Sequence, residues 1–184
     1  MATYEKIRIS KLEAARRQLK TAITLWFTGG DPVAIHGLAF AAYEILHAIS
    51  ENRDPKRIDL IFDSALIEDE RRGEWNRLIR KDANFFKHAD RDGDSVIEFM
   101  PQTSEIFMLF AIWARELCGE AASVEERSFM TWLSISRSKI LSNKGRKKLV
   151  NSLTADDITH LRTLTKQQFF QVCRKALVSE ADVA

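Results

Sequence analysis

The sequence carries one cluster of side chains whose chemistry could act on a substrate, and it lies between residues 75 and 90. Arg77, Lys81, Asn84, Lys87 and His88 recur there within one predicted helix. Histidine exchanges protons near neutral pH, and arginine or lysine can hold a phosphate. The alternative is a solvent-exposed basic helix end, where the helix dipole favours cations. That alternative explains Lys87 better than it explains Asn84 and His88.

The same segment has an apolar face with one carboxylate, Asp82, in its middle. The apolar residues of this face are Trp75, Leu78, Ile79, Phe85, Phe86 and Ala89. An unpaired buried charge is costly, so a buried carboxylate must be paired or neutralised. A second segment carries a stripe of His36, Tyr43 and His47, and we expect Asp82 to contact one of these histidines or a buried arginine. The alternative is that the stripe consists of core side chains satisfied by ordinary hydrogen bonds.

Two helices joined by a tight turn must position this polar stripe. Residues 6–28 follow the 3.6-residue apolar period, and Gly29 ends the helix because glycine tolerates the left-handed C-terminal conformation. Asp31 then offers an N-cap, and Pro32 suits the first helical position. Residues 32–50 are apolar almost all round, which predicts a central, buried helix.

The rest of the chain also has the pattern of helices. Further helices are predicted over residues 55–67, 69–88, 103–118 and 123–140, and Thr154 and Thr165 cap two short ones. The low counts of glycine (7) and proline (3) favour long helices over turn-rich sheets. We therefore predict an all-α protein, a bundle of five or six helices with a short helical C-terminal tail. The bundle domain is predicted to span residues 1–142, and the small basic tail, residues 143–184, is predicted to pack on it.

The start of this tail is basic and could contact nucleic-acid phosphates. Its candidate phosphate contacts are Lys144, Arg146, Lys147 and Lys148. No aromatic residue lies between Ile135 and Asn151 to stack on bases, which weakens a single-strand binding mode. A solvent-exposed surface remains the ordinary alternative for such a run.

Composition and motifs favour a protein without a metal or a cofactor. The net charge is +2, too small to argue for nucleic acid by itself. Cys118 and Cys173 lack partners at zinc-ligand spacing. The acids that begin at Asp90 resemble the start of a calcium loop, but Ser95 replaces the turn glycine and Pro101 the last carboxylate. No phosphate-cradling glycine loop, nucleophile elbow or HExxH motif occurs, so the sequence gives no support for these familiar enzyme chemistries. Whether the protein is an enzyme of another kind stays open.

The N-terminus is charged, without the apolar stretch of a secretory signal. No run of about 18 apolar residues occurs, so no membrane span is expected. A cytoplasmic location is the resulting expectation.

Residues 6–119 resemble the HEPN group of small all-α bacterial and archaeal domains. The resemblance depends on the helical hairpin, the buried central helix, and a later helix whose polar motif runs from Arg80 to His88. Members of that group commonly dimerise, and many are metal-independent ribonucleases of toxin–antitoxin or phage-defence systems. The resemblance implies that Arg80 and His88 form a catalytic pair, with Asn84 or Asp82 as the polar helper. The gap between Arg80 and His88 is longer than in the family motif.

Two functions of different classes follow from these patterns. The first is a non-catalytic interaction protein that binds a protein partner or forms a homodimer. In such a protein the polar end of the helix has a structural role. The second is a HEPN-like RNA-binding protein or ribonuclease that uses His88 as acid and base. Because the Arg80–His88 spacing departs from the motif, the sequence favours the first.

Overall fold

The computed structural model describes residues 4–53, 61–62, 68–88, 93–119, 121–137 and 153–181. Within these ranges the chain forms seven helices and no strand, which confirms the all-α class. The helices are α1 (Lys11–Thr28), α2 (Pro32–Arg53), α3 (Asp69–Lys87), α4 (Thr103–Leu117), α5 (Val124–Ser136), α6 (Ala155–Thr163) and α7 (Lys166–Ala181). The prediction of five or six helices does not match this count. The predicted helix of residues 55–67 lies largely outside the described residues.

The turn between α1 and α2 forms as its residue types predict. Gly29 adopts a φ of 74°, and its N–H donates to the carbonyl of Leu25. The Asp31 carboxylate accepts from the N–H of Ala34 at 2.9 Å, and Pro32 is the first residue of α2. The start of α1 was predicted too early. Ser10 caps the helix by accepting from the N–H of Glu13 at 3.1 Å, so the helix begins at Lys11.

The core is built around α2, which packs most extensively on α1 and α4. Phe40 and Tyr43 are buried in α2, and their rings lie 5.0 and 6.1 Å from the ring of Phe107 on α4. These large aromatic side chains remove much apolar surface from water and fix α4 against α2. The central, buried helix predicted from the sequence is therefore present.

By length and hydropathy alone, α2 could also cross a membrane, with a mean hydropathy of 1.4 over its most apolar window. Half of that window is buried inside the protein, and the core helix of a globular protein meets the same criterion.

The C-terminal helices pack on the bundle through aromatic residues. Phe169 and Phe170 of α7 are buried and stack on Phe27 of α1, with centroids 6.2 and 4.6 Å apart. The Nζ of Lys166 lies 3.5 Å from the ring centroid of Trp26. Residues 138–152 lie outside the described part of the chain. The predicted boundary at residue 143 and the predicted phosphate contacts Lys144, Arg146, Lys147 and Lys148 therefore stay predictions.

Candidate binding cleft between helices α2, α3 and α4

Helix α3 begins and ends as its sequence predicts. Asp69 and Glu70 occupy its first turn, where the helix dipole favours acids. His88 is the C-cap, and its backbone N–H donates to the carbonyl of Asn84 at 3.1 Å. Trp75 Nε1 donates to the carbonyl of Ile61 at 2.7 Å, which ties the first half of α3 to the segment before it.

Polar contacts fasten α3 to α2. The Glu44 carboxylate of α2 forms ion pairs with two cations of α3, Arg80 at 3.3 Å and Lys87 at 3.6 Å. The Arg80 guanidinium also lies 4.3 Å from the ring centroid of Phe62, and Lys87 Nζ lies 5.0 Å from that of Phe40. Arg80 and Lys87 are about two helical turns apart, so they fall on one side of α3. That side faces α2.

The predicted catalytic residues are therefore divided between two environments. Arg80 is half-buried and engaged with Glu44 and Phe62. Asn84 and His88 are exposed, and their side chains make no hydrogen bond or ion pair with the described residues. Within the described structure, the cation predicted to hold a phosphate is paired with Glu44, and the imidazole predicted to move protons is exposed to solvent.

The apolar side of α3 faces a cleft of about 560 Å³ shared with α2 and α4. Trp75, Leu78 and Ile79 line it from α3. From α4 and the segment before it, the lining residues are Glu98, Met100, Thr103, Ile106, Phe107 and Phe110. Leu78, Met100 and Ile106 remain 63%, 65% and 49% exposed. The apolar face of α3 that the sequence predicts therefore forms one wall of a cleft. Large apolar side chains around this cleft remain in contact with water.

His36 lies in the inner wall of this cleft and is 1% exposed. Its ring is surrounded edge-on by the rings of Phe86, Phe99 and Phe107. Burial lowers the pKa of His36 below the usual 6.5, the charge of Asp82 opposes that shift, and Lys87 adds to it. His36 is therefore neutral at pH 7.

Among the described residues, His36 makes one hydrogen bond, through Nδ1. Nδ1 lies 3.2 Å from the Ser104 hydroxyl, which makes no other hydrogen bond among the described residues. In the neutral ring one nitrogen donates and the other accepts, so the donor of this bond is the Ser104 hydroxyl in one tautomer and Nδ1–H in the other. Nε2 is buried and has no hydrogen-bond partner in the described structure.

Asp82 is half-buried and lines the same cleft as His36. It is close enough to raise the pKa of His36, but no hydrogen bond or ion pair joins it to another described residue. Its neighbours at helical spacing are Leu78, Ile79, Phe85 and Phe86. None of these can donate a hydrogen bond or neutralise a carboxylate, so α3 itself supplies no partner.

The other two stripe residues lie elsewhere on α2 and do not line the cleft. Tyr43 is buried with its ring 5.1 Å from that of Phe62. His47 Nδ1 lies 3.9 Å from the carboxylate of Glu51. The structure thus brings His36 and Asp82 to one cleft, whereas Tyr43 and His47 lie outside its lining.

Sequence reasoning missed the α4 side of this cleft. Ile106 and Phe107 are adjacent in a helix that is apolar nearly all round, so both cannot face the same core. That excess of apolar surface was the available signal.

The sequence pattern also gave no indication of the buried ion pair between Arg115 and Glu126. The two side chains lie 2.9 Å apart, and burial raises the pKa of the Glu126 carboxyl.

No family model matches the sequence, and neither a curated protein nor a solved structure resembles the chain significantly. The HEPN resemblance therefore remains a prediction from the sequence. Among the described residues, no group of three or more His, Cys, Asp or Glu side chains is placed to hold a metal ion.

Proposed function

We propose that this chain is a non-catalytic binding protein and that the cleft between α3 and α4 takes up an apolar group. The observation that carries the proposal is the cleft itself, about 560 Å³ in volume with Leu78, Met100 and Ile106 exposed around it. Ligand sites in proteins are usually concave, mostly apolar and roughly 300–1,000 Å³ in volume, with a few polar groups that orient the ligand.

The lining fits that description. Aromatic and aliphatic side chains form most of the wall, and it is interrupted by five polar or charged residues, His36, Lys81, Asp82, Glu98 and Thr103. Exposed apolar side chains near one another are unfavourable in water, and covering them with a ligand removes that cost. The ligand would fill a space that the described chain leaves open.

The arrangement of polar side chains supports binding over catalysis. A nuclease would need a cation free to hold phosphate beside a base that reaches it. Arg80 is paired with Glu44, whereas His88 is exposed beyond the end of α3. The buried imidazole of His36 is covered by aromatic rings, so it offers no accessible base.

Titration with Nile red, a neutral apolar dye, tests the proposal. We expect its fluorescence to rise with the wild-type chain, and we expect Leu78→Asp to weaken binding about tenfold by placing a charge in the cleft wall. Val172→Asp is the matched control, because Val172 is also an exposed aliphatic residue but lies on α7 and does not line the cleft. Equal loss in both variants, or no loss in Leu78→Asp, would reject the cleft as the site.

The predicted homodimer can be examined with the same variants. If a second copy of the chain covers the cleft mouth, sedimentation velocity will show a dimer that Leu78→Asp converts to a monomer. A monomeric wild-type chain that binds Nile red supports uptake of a small molecule.

RNA cleavage is the second candidate function, and the exposure of Asn84 and His88 on one side of α3 is the observation that favours it. Neither side chain is used in packing, so both are accessible to a substrate. Incubating the wild-type chain and His88→Ala with single-stranded RNA tests this candidate. Cleavage that is equal in the two proteins removes His88 from any catalytic role, whereas cleavage that His88→Ala abolishes overturns the non-catalytic proposal.

A further inference from the structure

We propose that the cleft selects organic ammonium ions, molecules with an apolar body and a single cationic nitrogen that pairs with the Asp82 carboxylate. This inference extends the proposed function, because it presumes that the cleft binds a ligand and names the ligand's charge. It depends on three features of the cleft: an unpaired carboxylate, a negative balance of charge, and aromatic walls.

The Asp82 carboxylate has no cationic partner in the described structure. Arg80 and Lys87, the cations on the neighbouring side of α3, are both paired with Glu44. Lys81 directly precedes Asp82, and adjacent helical residues point about 100° apart, so the two side chains form no ion pair in the described structure. A half-buried carboxylate without a donor is an incomplete site, since charged groups away from water are stabilised by a counter-charge.

The charges around the cleft favour a cation. Asp82 and Glu98 contribute two carboxylates to its lining, against one ammonium, that of Lys81. His36, the nearest imidazole, does not balance them, because burial keeps it neutral at pH 7. A negative cleft of low polarity attracts cations and repels anions.

The walls suit the rest of such a ligand. Trp75, Phe107 and Phe110 line the cleft, and aromatic faces attract ammonium groups as well as apolar bodies. Cations of the described residues already make five contacts of this kind, including those of Arg80, Lys87 and Lys166 with aromatic rings at 4.3, 5.0 and 3.5 Å. A ligand amine would therefore meet a carboxylate and aromatic rings in the same space.

Three probes that share a phenyl ring on a two-carbon chain but differ in the charge of the terminal group test the inference on the full chain. They are 2-phenylethylammonium, the neutral 2-phenylethanol and the anionic 3-phenylpropionate, each titrated by isothermal calorimetry or NMR. We expect the ammonium to bind most tightly and the carboxylate most weakly. Asp82→Asn, which keeps the shape of the side chain, should weaken ammonium binding about tenfold and leave alcohol binding unchanged.

Glu116→Gln is the matched control, because Glu116 is an exposed carboxylate on α4 that does not line the cleft. Its effect on ammonium binding should stay within about twofold, since exposed charges outside the site contribute little. Added salt gives a readout that needs no variant: it should weaken ammonium binding and leave alcohol binding unchanged. Thermal unfolding of Asp82→Asn verifies that the variant is folded.

The outcomes separate this inference from the proposed function. If the alcohol binds as tightly as the ammonium, or if Asp82→Asn binds the ammonium as the wild-type chain does, the inference is overturned while the cleft remains a binding site. If no probe binds and Leu78→Asp leaves Nile red fluorescence unchanged, the proposed function fails and the inference with it.

Discussion

Helices α2 and α3 are similar in length, 22 and 19 residues, yet they are held in the molecule in different ways. Nine residues of α2 are buried, including Phe40, Tyr43 and Leu46, whereas Ala83 is the only buried residue of α3. Apolar packing fixes α2. Ion pairs to Glu44 and cation–ring contacts fix α3, and its apolar side borders a cleft. An apolar face at helical spacing therefore identifies a helix, but it does not indicate whether that face is covered by the protein core or by a ligand.

The largest expected effect is a truncation in α2. Phe40 is fully buried among Phe62, Phe107 and His36, so Phe40→Ala should lower the free energy of unfolding by about 3–5 kcal/mol. Leu78→Ala on α3 is the contrast and should change it by about 0.5 kcal/mol or less, because Leu78 is mostly exposed. Urea denaturation measures both, and equal losses would contradict the division between the two helices.

A smaller effect is expected from Glu44, which holds both cations of α3. Glu44→Gln should lower the free energy of unfolding by about 1 kcal/mol, since these half-exposed ion pairs are screened by water. It should also speed amide hydrogen exchange in α3 without speeding it in α2. Glu51→Gln is the control, because Glu51 lies 3.9 Å from His47 within α2 and forms no ion pair with α3 among the described residues. If exchange accelerates equally in both helices, the ion pairs do not anchor α3 specifically.

His36 should make stability depend on pH in a defined direction. Its folded-state pKa lies below 6.5, so the unfolded chain binds more protons as the pH falls. The contribution of His36 is fully present above about pH 7 and declines as the pH falls through 6.5 towards the lower folded-state pKa. The wild-type chain should therefore lose stability over that window, and His36→Asn should lose less of it. An equal decline in both proteins would assign the pH dependence to other groups.

The smallest effect is expected at His88. Its side chain is exposed and unbonded within the described residues, so His88→Ala should change the free energy of unfolding by about 0.5 kcal/mol or less. Thermal or urea unfolding measures this change. A clearly larger loss would mean that His88 packs in a manner the described structure lacks.

Local sequence signals predicted the helices well. Ser123 with Glu126, Asp31 and Gly29 each form the cap that their residue types indicate. Caps depend on side chains within one turn of the backbone they satisfy, so a local sequence pattern contains all the information. The same holds for the burial of α2, whose composition alone excludes exposure of all its faces.

The candidate site was harder to predict because it depends on contacts between distant residues. Nothing near Arg80 in the sequence identifies Glu44 as its partner, and the Arg80-to-His88 motif therefore suggested chemistry where the structure has an ion pair. The sequence singled out Asp82 and His36 as polar residues on apolar helix faces. Their common cleft depends on how α2, α3 and α4 are placed relative to one another, which periodicity within one helix does not encode.

Mapping ligand-induced NMR shifts is the most direct test that the cleft is a binding site. The probe is 2-phenylethanol, whose uptake needs no charge. We expect the largest amide shifts in the segments that line the cleft, which are residues 75–82 of α3 and residues 98–107, the segment before α4 together with its first turn. Shifts concentrated around Asn84 and His88, or spread evenly over the surface, would contradict the claim.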